Sequence, residues 1–313
     1  MSKNTYPKVS IIIPTYNRAN LLSRAIKSVL NQTFKDFELI IVDDGSTDNT
    51  KQVVEKFQKE DSRIKYIWQE NSGAPARPKN TGIKNSTGEY IAFLDDDDEW
   101  LPEKLEKQLK LFENSEKNNL GFVGCNFYIN EDNKTKLYKI PKMKNVFKNL
   151  LEGVVINGSS GIMIKKLVIG NVGLFDENFK SSDDWDLWIR ISQKYDFDFI
   201  KEFLFKHYFH GGNLTKTGSY CTKIKELKYL LEKYQSSYKK FPIIYSKILR
   251  NIGTIYLLDN NINLARKHFI KSIKTSPFYL RNYINFLISL FGISFYKKLL
   301  LIKQKLIETF ISK

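Results

Sequence analysis

The sequence predicts an α/β fold: a parallel sheet flanked by helices, followed by a helical C-terminal module. Three observations carry that prediction. Short β-branched runs alternate with amphipathic helical stretches through the first third of the chain, the pattern of a sheet built with crossover helices. Two of those runs end in acidic clusters, Asp43-Asp44 and Asp95-Asp96-Asp97-Asp98. From Lys223 onward the apolar spacing settles at 3.6 residues and the charge turns basic.

Val9–Ile13 reads as a buried strand stopped by Pro14, and Asn20–Leu30 as a helix with Leu22, Ile26 and Val29 on one face. Phe37–Val42 is the second strand, and Asp48–Phe57 the second helix, with Asp48 as its N-cap. Ile64–Trp68 and Glu89–Leu94 are further strands, and Leu101–Asn114 is a helix with Pro102 near its first turn. Past Gly121-Phe122-Val123-Gly124 the pattern loosens, and Asp184–Lys194 is the clearest helix before Thr222. Helical spacing then covers Leu227–Tyr238, Ile243–Leu258, Ile262–Lys274 and Tyr279–Leu290. In that stretch Gly253, Tyr256, Ala265, Phe269 and Pro277 match one tetratricopeptide unit, which reads as a single helical hairpin rather than a solenoid.

At 313 residues the chain holds one large domain or two ordinary ones. The N-terminus is polar and reads as no signal peptide, and no apolar run is long enough to span a bilayer. Cys125 and Cys221 form no metal pattern and fit a reduced cytoplasmic interior. The net charge of +16 is divided unevenly. Residues 223–313 carry 18 basic and 4 acidic side chains, while residues 1–222 carry 32 and 30. That asymmetry points the tail at an anionic partner, and the apolar stretch Ile284–Tyr296 followed by Lys297, Lys298, Lys303 and Lys305 favours an anionic membrane surface over nucleic acid.

Ligands of open parallel sheets bind at the carboxyl ends of the strands. Two acidic clusters at such ends suggest one site for a hard cation and the phosphates it accompanies. The plainer reading is that each cluster caps the following helix.

The residues also carry a resemblance. Val9-Ser10-Ile11-Ile12-Ile13-Pro14-Thr15-Tyr16-Asn17-Arg18, the run Glu38 to Asp48, Asn80-Thr81-Gly82-Ile83, Gly88-Glu89-Tyr90, Phe93 to Asp98, Gly173-Leu174-Phe175-Asp176-Glu177 and Asp183 to Arg190 follow one another as in family 2 glycosyltransferases. The resemblance covers about residues 7–215. It implies the GT-A fold, a Rossmann-like nucleotide half (about residues 7–120) joined to an acceptor half (about residues 121–222), with residues 223–313 as a separate basic helical region.

Several roles follow from that resemblance. Mn²⁺ or Mg²⁺ would be held by Asp97 with Asp95, and His210 (or His207) is the candidate late ligand. Asp44 would accept from the uracil N–H with Asp43 in support, Pro14, Thr15, Tyr16 and Asn17 would hold base and ribose, and Asp96, Arg77 and Lys79 would face the donor. Asp98 would cap the next helix. Asp184 would be the general base, with Asp183 as the alternative; Trp185 and Trp188 are the candidates to stack on the acceptor, against the reading that at least one is core because Leu187 and Ile189 lie on the same short helix. The implied reaction moves one sugar, with inversion, from a UDP-sugar to a glycan or polyprenyl-linked saccharide. The Gln-x-x-Arg-Trp signature of processive synthases is absent. Two other classes compete. A nucleotidyltransferase would open with a Gly-rich loop where Pro14-Thr15-Tyr16-Asn17 stands, and a nucleic-acid-binding protein would use the basic tail but shows no recognised motif.

Overall fold

A computed structural model describes residues 6–132, 134–153, 156, 158–209, 219–293, 295 and 298. The chain divides into two compact units, Met1–Thr217 and Gly218–Lys313.

The first unit begins with β1 (Val9–Thr15), α1 (Ala19–Leu30), β2 (Phe37–Asp43), α2 (Thr50–Glu60), β3 (Ile64–Trp68), α3 (Ala76–Lys84) and β4 (Tyr90–Phe93). The four strands are parallel in the order β3-β2-β1-β4. Consecutive residues Ile11, Ile12 and Ile13 are all fully buried, as expected for a strand covered on both faces. Pro14 lies inside β1 instead of ending it. It pairs with Val42 on one side, while the β4 pairing has already stopped at Ile12↔Phe93, so its missing N–H interrupts no ladder there. Helix α2 starts two residues later than expected. Asp48 stands just outside it, its carboxylate accepting from Thr50 N (3.0 Å), Thr50 Oγ1 (2.5 Å) and Ala19 N (3.1 Å). Helix α3 was not foreseen. Pro78 falls in its first turn, where a missing N–H costs nothing, and Gly82 lets it press onto β1, since a Cβ there would stand 2.5 Å from Ile12 Cγ2.

The sheet then continues with mixed sense through β5 (Glu99–Trp100), α4 (Lys104–Asn114), β6 (Leu120–Glu131), β7 (Lys134–Tyr138), α5 (Val146–Glu152), β8 (Met163–Lys165), α6 (Lys166–Val172), α7 (Asp183–Ser192) and β9 (Asp196–Phe209). The order runs on as β4-β8-β6-β9-β5, with β7 folded back on β6. Strand β8 is antiparallel to both neighbours, β9 is parallel to β6, and β5 is antiparallel to β9. A short 3₁₀ turn, Ser159–Gly161, leads into β8. This is the GT-A arrangement that the resemblance implies.

The second unit contains α8 (Tyr220–Lys233), α9 (Gln235–Lys240), α10 (Pro242–Leu258), α11 (Ile262–Thr275) and α12 (Arg281–Leu290) among the described residues. Leu257, Ala265 and Phe269 form its buried centre, and Ser272 Oγ donates to Ser246 O (2.7 Å), tying α11 to α10. No helix of the described residues is long and apolar enough to cross a membrane. Lys297, Lys303 and Lys305 lie outside the described residues, as do Ser294 and Tyr296.

Candidate active site

Strand β1 sits between β2 and β4, so the loops after these three strands leave the sheet at its point of topological reversal. The loops are stitched together. Asn17, at φ 51°, a conformation Asn tolerates, accepts from Thr47 N at 2.8 Å, and its own N–H donates to Ser46 Oγ at 2.8 Å. Asp43 is buried and accepts from Tyr66 Oη (2.6 Å) and Ser46 N (2.8 Å). Asp44 is buried too, accepting from Gln69 Nε2 (2.5 Å), Ser72 N (3.0 Å) and Ser72 Oγ (2.8 Å). A carboxylate has about four acceptor sites, so these three bonds leave Asp44 room for one more donor. Pro14 is half-buried and Tyr16 exposed beside them.

The four aspartates after β4 have different surroundings. Asp95 is the half-buried one; its N–H donates to Ser160 Oγ (3.0 Å), and Ser159 Oγ donates to its carboxylate (3.2 Å). Asp96 is buried, accepting from Thr15 Oγ1 (2.8 Å) and Arg18 Nη1 (2.9 Å). Burial pushes Asp96 up to about 7, with Arg18 opposing and Asp97 adding to the rise. Asp97 is buried and accepts from the same Arg18 nitrogen at 2.8 Å, while its backbone carbonyl accepts from Arg24. The Arg24 guanidinium also stacks 3.7 Å from the Tyr208 ring.

Asp98 does not cap α4, whose N-cap is Glu103. It is buried and accepts from Ser160 Oγ (2.6 Å), Tyr208 N (3.2 Å) and the His207 ring (2.9 Å). A buried carboxylate needs partners more than a helix end needs a cap. His207 is accordingly engaged through Nδ1 with Asp98. Its burial would lower its pKa, but Asp98 outweighs that and holds it at about 9. His210 lies outside the described residues.

On the facing side, α3 delivers Lys79 to α7. Lys79 Nζ donates to Asp183 Oδ2 at 2.9 Å, and both side chains are buried. Burial alone would lower the ammonium's pKa, yet Asp183, Asp95 and Asp184 together raise it above the ordinary lysine value. Asp184 is half-buried and accepts from Trp185 N (2.7 Å). Burial, then the charge of Asp183, pushes Asp184 up to about 7, with Lys79 opposing. The Asp95 charge is felt at both Lys79 and Asp184, so the acidic run and the α7 pair form one electrostatic site. Arg77, by contrast, is exposed on the first turn of α3.

Two matched motifs prove to hold the site together. Asn80 Oδ1 accepts from Phe175 N (2.9 Å), while Asn80 Nδ2 donates to Phe175 O (3.0 Å) and Glu177 Oε1 (2.9 Å). Arg190 pairs with buried Asp186 (2.9 Å) and donates to the carbonyls of Val172, Gly173 and Leu174. The two tryptophans need correction. Trp188 is fully buried and stacks on Phe122 (centroids 5.8 Å apart), and Trp185 is 7% exposed with its N–H spent on Leu150 O (2.6 Å). Neither offers a face to a sugar, because the apolar side of α7 needs both indoles for its packing. Ser159, Ser160 and Arg18 were not singled out by sequence. The only trace of the serines is the small-residue run Gly158-Ser159-Ser160-Gly161, which reads as an ordinary turn.

Residues 10–179 match the family described as Glycosyl transferase family 2. An uncharacterized glycosyltransferase of Rickettsia conorii is 36% identical over 276 residues, 86% of this chain but 44% of its own length, so the chain spans under half of that relative. An Escherichia coli protein, UDP-Glc:alpha-D-GlcNAc-diphosphoundecaprenol beta-1,3-glucosyltransferase WfgD, is 34% identical over 83% of this chain and 94% of its own. Among solved structures, the mannosyltransferase PcManGT of Pyrobaculum calidifontis, in complex with GDP-Man and Mn2+, superposes with a TM-score of 0.57 at 16% identity, over 94% of this chain and 87% of that one. With more than half the chain inside the family match and an acidic site at the sheet's reversal point, the chain belongs to glycosyl transferase family 2.

Proposed function

We propose that the protein is an inverting, non-processive glycosyltransferase that moves one sugar from a UDP-sugar to a polyprenyl-linked saccharide on an anionic membrane surface. The observation that carries this reading is the contrast within the α7 pair. Asp183 is tied to Lys79 in a buried ion pair, whereas half-buried Asp184 sits at about 7, where a carboxylate takes a proton efficiently near neutral pH.

In this reading Asp44 uses its remaining acceptor site for the uracil N–H, with Asp43 held behind it by Tyr66. Pro14, Thr15, Tyr16 and Asn17 border the base and ribose, and exposed Arg77 faces the donor's anionic end. Two carboxylates from Asp95 and Asp97 are hard oxygen donors, and among the described residues no third His, Cys, Asp or Glu completes a cage. That donor set suits Mg²⁺ or Mn²⁺, which take one or two carboxylates and complete their shell with phosphate oxygens and water. The Arg18 guanidinium lying across Asp96 and Asp97 supports this reading, since it already sets positive charge beside Asp97. A cation bound there would neutralise the charge that gathers on the departing diphosphate.

Asp184 then takes the proton of the acceptor hydroxyl as its oxygen attacks the anomeric carbon from the face opposite the diphosphate. The new C–O bond forms, the bond to the diphosphate breaks, and configuration inverts. Lys79 holds Asp183 in place beside the base. The UDP-Glc and diphosphoundecaprenol in the name of the E. coli relative support the choice of donor and acceptor class. The test is a screen of nucleotide sugars with wild type and Asp184→Asn. The expected result is turnover of a UDP-sugar that falls roughly 10²–10⁴-fold in the variant while donor binding is kept. Asp184→Asn within threefold of wild type, with Asp183→Asn inactive, would move the base by one residue; tighter GDP than UDP binding would refute the donor.

A further inference from the structure

The four aspartates form one turn: Asp98 N donates to Asp95 O at 3.1 Å, so Asp96 and Asp97 are its central pair. A single hydroxyl closes that turn a second time. Ser160 Oγ accepts from Asp95 N at 3.0 Å and donates to Asp98 Oδ2 at 2.6 Å. A hydroxyl has one proton to give, and Ser160 spends it on the Asp98 carboxylate. The serine is itself pinned from behind. Trp100 Nε1 donates to Ser160 O at 2.7 Å, and Gln108 Nε2 donates to Gly161 O at 2.8 Å. The Gln108 amide is fixed in that sense, because its Oε1 accepts from Lys104 Nζ (2.8 Å), an atom that only donates. Ser160, Gln108 and Lys104 are all fully buried.

We propose that Ser160 is a positioning residue for the divalent cation, setting the spacing of the Asp95 and Asp97 carboxylates through the turn it closes. The inference rests on the metal site proposed above. Asp95 and Asp97 are the first and third residues of the turn, so any opening of it moves one carboxylate against the other. A small divalent cation tolerates little such movement, since its ligands must meet near-octahedral positions. Ser160 fixes the Asp95 backbone and the far end of the turn, while Ser159 Oγ steadies the Asp95 carboxylate itself (3.2 Å). Groups that touch only the ligands of a metal, and not the metal, commonly set its affinity in this way. Ser160 belongs to the acceptor half, in the 3₁₀ turn that leads into β8. The cation's carboxylates therefore reach their spacing only when this piece of the acceptor half is seated against the turn.

Ser10 supplies a matched control. Its hydroxyl is also fully buried, accepts from Gly88 N (2.8 Å) and donates to Glu38 Oε1 (2.5 Å), but near the start of β1, at the end of the sheet away from the aspartates. The experiment is a Mn²⁺ titration of the full chain, read as loss of the free-ion EPR signal, alone and with UDP against a protein-free UDP blank. UDP binding without metal is measured beside it by calorimetry. Ser160→Ala should weaken Mn²⁺ binding about 10–100-fold and leave metal-free UDP binding as in wild type. Ser10→Ala loses an equivalent pair of bonds, so it should lower the thermal midpoint comparably and leave Mn²⁺ affinity unchanged. Trp100→Phe keeps the ring, removes the N–H that holds Ser160 and should weaken Mn²⁺ in the same direction, which carries the test if Ser160→Ala does not fold. Wild-type Mn²⁺ affinity in Ser160→Ala and Trp100→Phe, or equal weakening in Ser10→Ala, overturns the role of Ser160, and the metal site stands if Asp97→Asn abolishes binding. If Asp97→Asn binds Mn²⁺ as wild type does, the metal site and this inference fail together.

Discussion

Asp95 to Asp98 show how little a residue's type says about its task. The same side chain is a serine-bound, partly open acceptor at 95, an anchor for Thr15 and Arg18 at 96, an arginine partner at 97 and a fully enclosed partner of His207 at 98. The run was conspicuous in the sequence because four charges close one apolar strand. Its division of labour was hidden, since each partner comes from 62 to 110 positions away. Asp184 carries the clearest pH consequence. The base proposed at Asp184, held at about 7, would be protonated below that pH, so kcat/KM should climb with pH and level off above about 7, a limb that Asp184→Asn removes. A flat wild-type profile from pH 5 to 8 would contradict this. Lys104 makes a second prediction. It is fully buried, bonded to Gln108 Oε1 (2.8 Å) and set 3.9 Å over the Trp100 ring, and burial lowers it to about 8. The unfolded chain keeps that proton up to about pH 10.4, so between 8 and 10 the unfolded state binds more protons and stability rises with pH. Relative to Lys104→Met, wild type should gain on the order of 2–3 kcal/mol across that window, measured by denaturant unfolding. A constant difference would refute the shift.

At the level of elements, the parallel strands were legible because each is a short, mostly apolar run rich in β-branched or aromatic residues, and β3 matches its expected bounds, Ile64–Trp68. Helix α3 was not, because Pro78 and Gly82 read as loop punctuation when their partners are unseen; in the fold one occupies a first turn and the other a contact with Ile12. The long β9 was equally obscure, since its pairing with β6 shifts register and spoils a simple alternation. The α10–α11 hairpin, by contrast, follows the expected small–aromatic spacing. Gly253 is where the two helices meet: a Cβ would stand 2.6 Å from Phe269 Cε1 and 3.1 Å from Ala265 O, with Phe269 and Ala265 both buried. Alanine gains about 1 kcal/mol in helix propensity, but overpacking costs roughly 1–3 kcal/mol. Gly253→Ala should therefore lower the thermal midpoint, and an unchanged or higher midpoint would show that the hairpin yields without strain.

Over the whole molecule the charge is split, residues 223–313 carrying +14 and residues 1–222 carrying +2. The same basic region exposes apolar side chains: Leu280 (76%) at the N-cap of α12, then Ile284 (52%) and Leu287 (53%) within it, recur three to four residues apart, with Phe278 and Phe291 beyond its ends. A helical face of this kind, set in a basic region, suits an anionic bilayer surface. Full-length protein should co-sediment with anionic vesicles at low salt and be released by high salt or by Ile284→Glu with Leu287→Glu. Equal partition to neutral vesicles, or indifference to both changes, would rule the surface out. The split charge was readable by counting, while the exposure of that face required the fold. Long sequence separations inside the first unit have one further consequence. Asp98 is enclosed by Ser160, His207 and Tyr208, and β9 lies between β6 and β5, so the acidic wall closes only when chain about 110 residues downstream arrives. Pairings this distant are slow to form. During synthesis, therefore, strands β1 to β4 stand with an open sheet edge and with Asp98 still in water until the ribosome has passed Tyr208, an interval in which the nascent chain is open to aggregation.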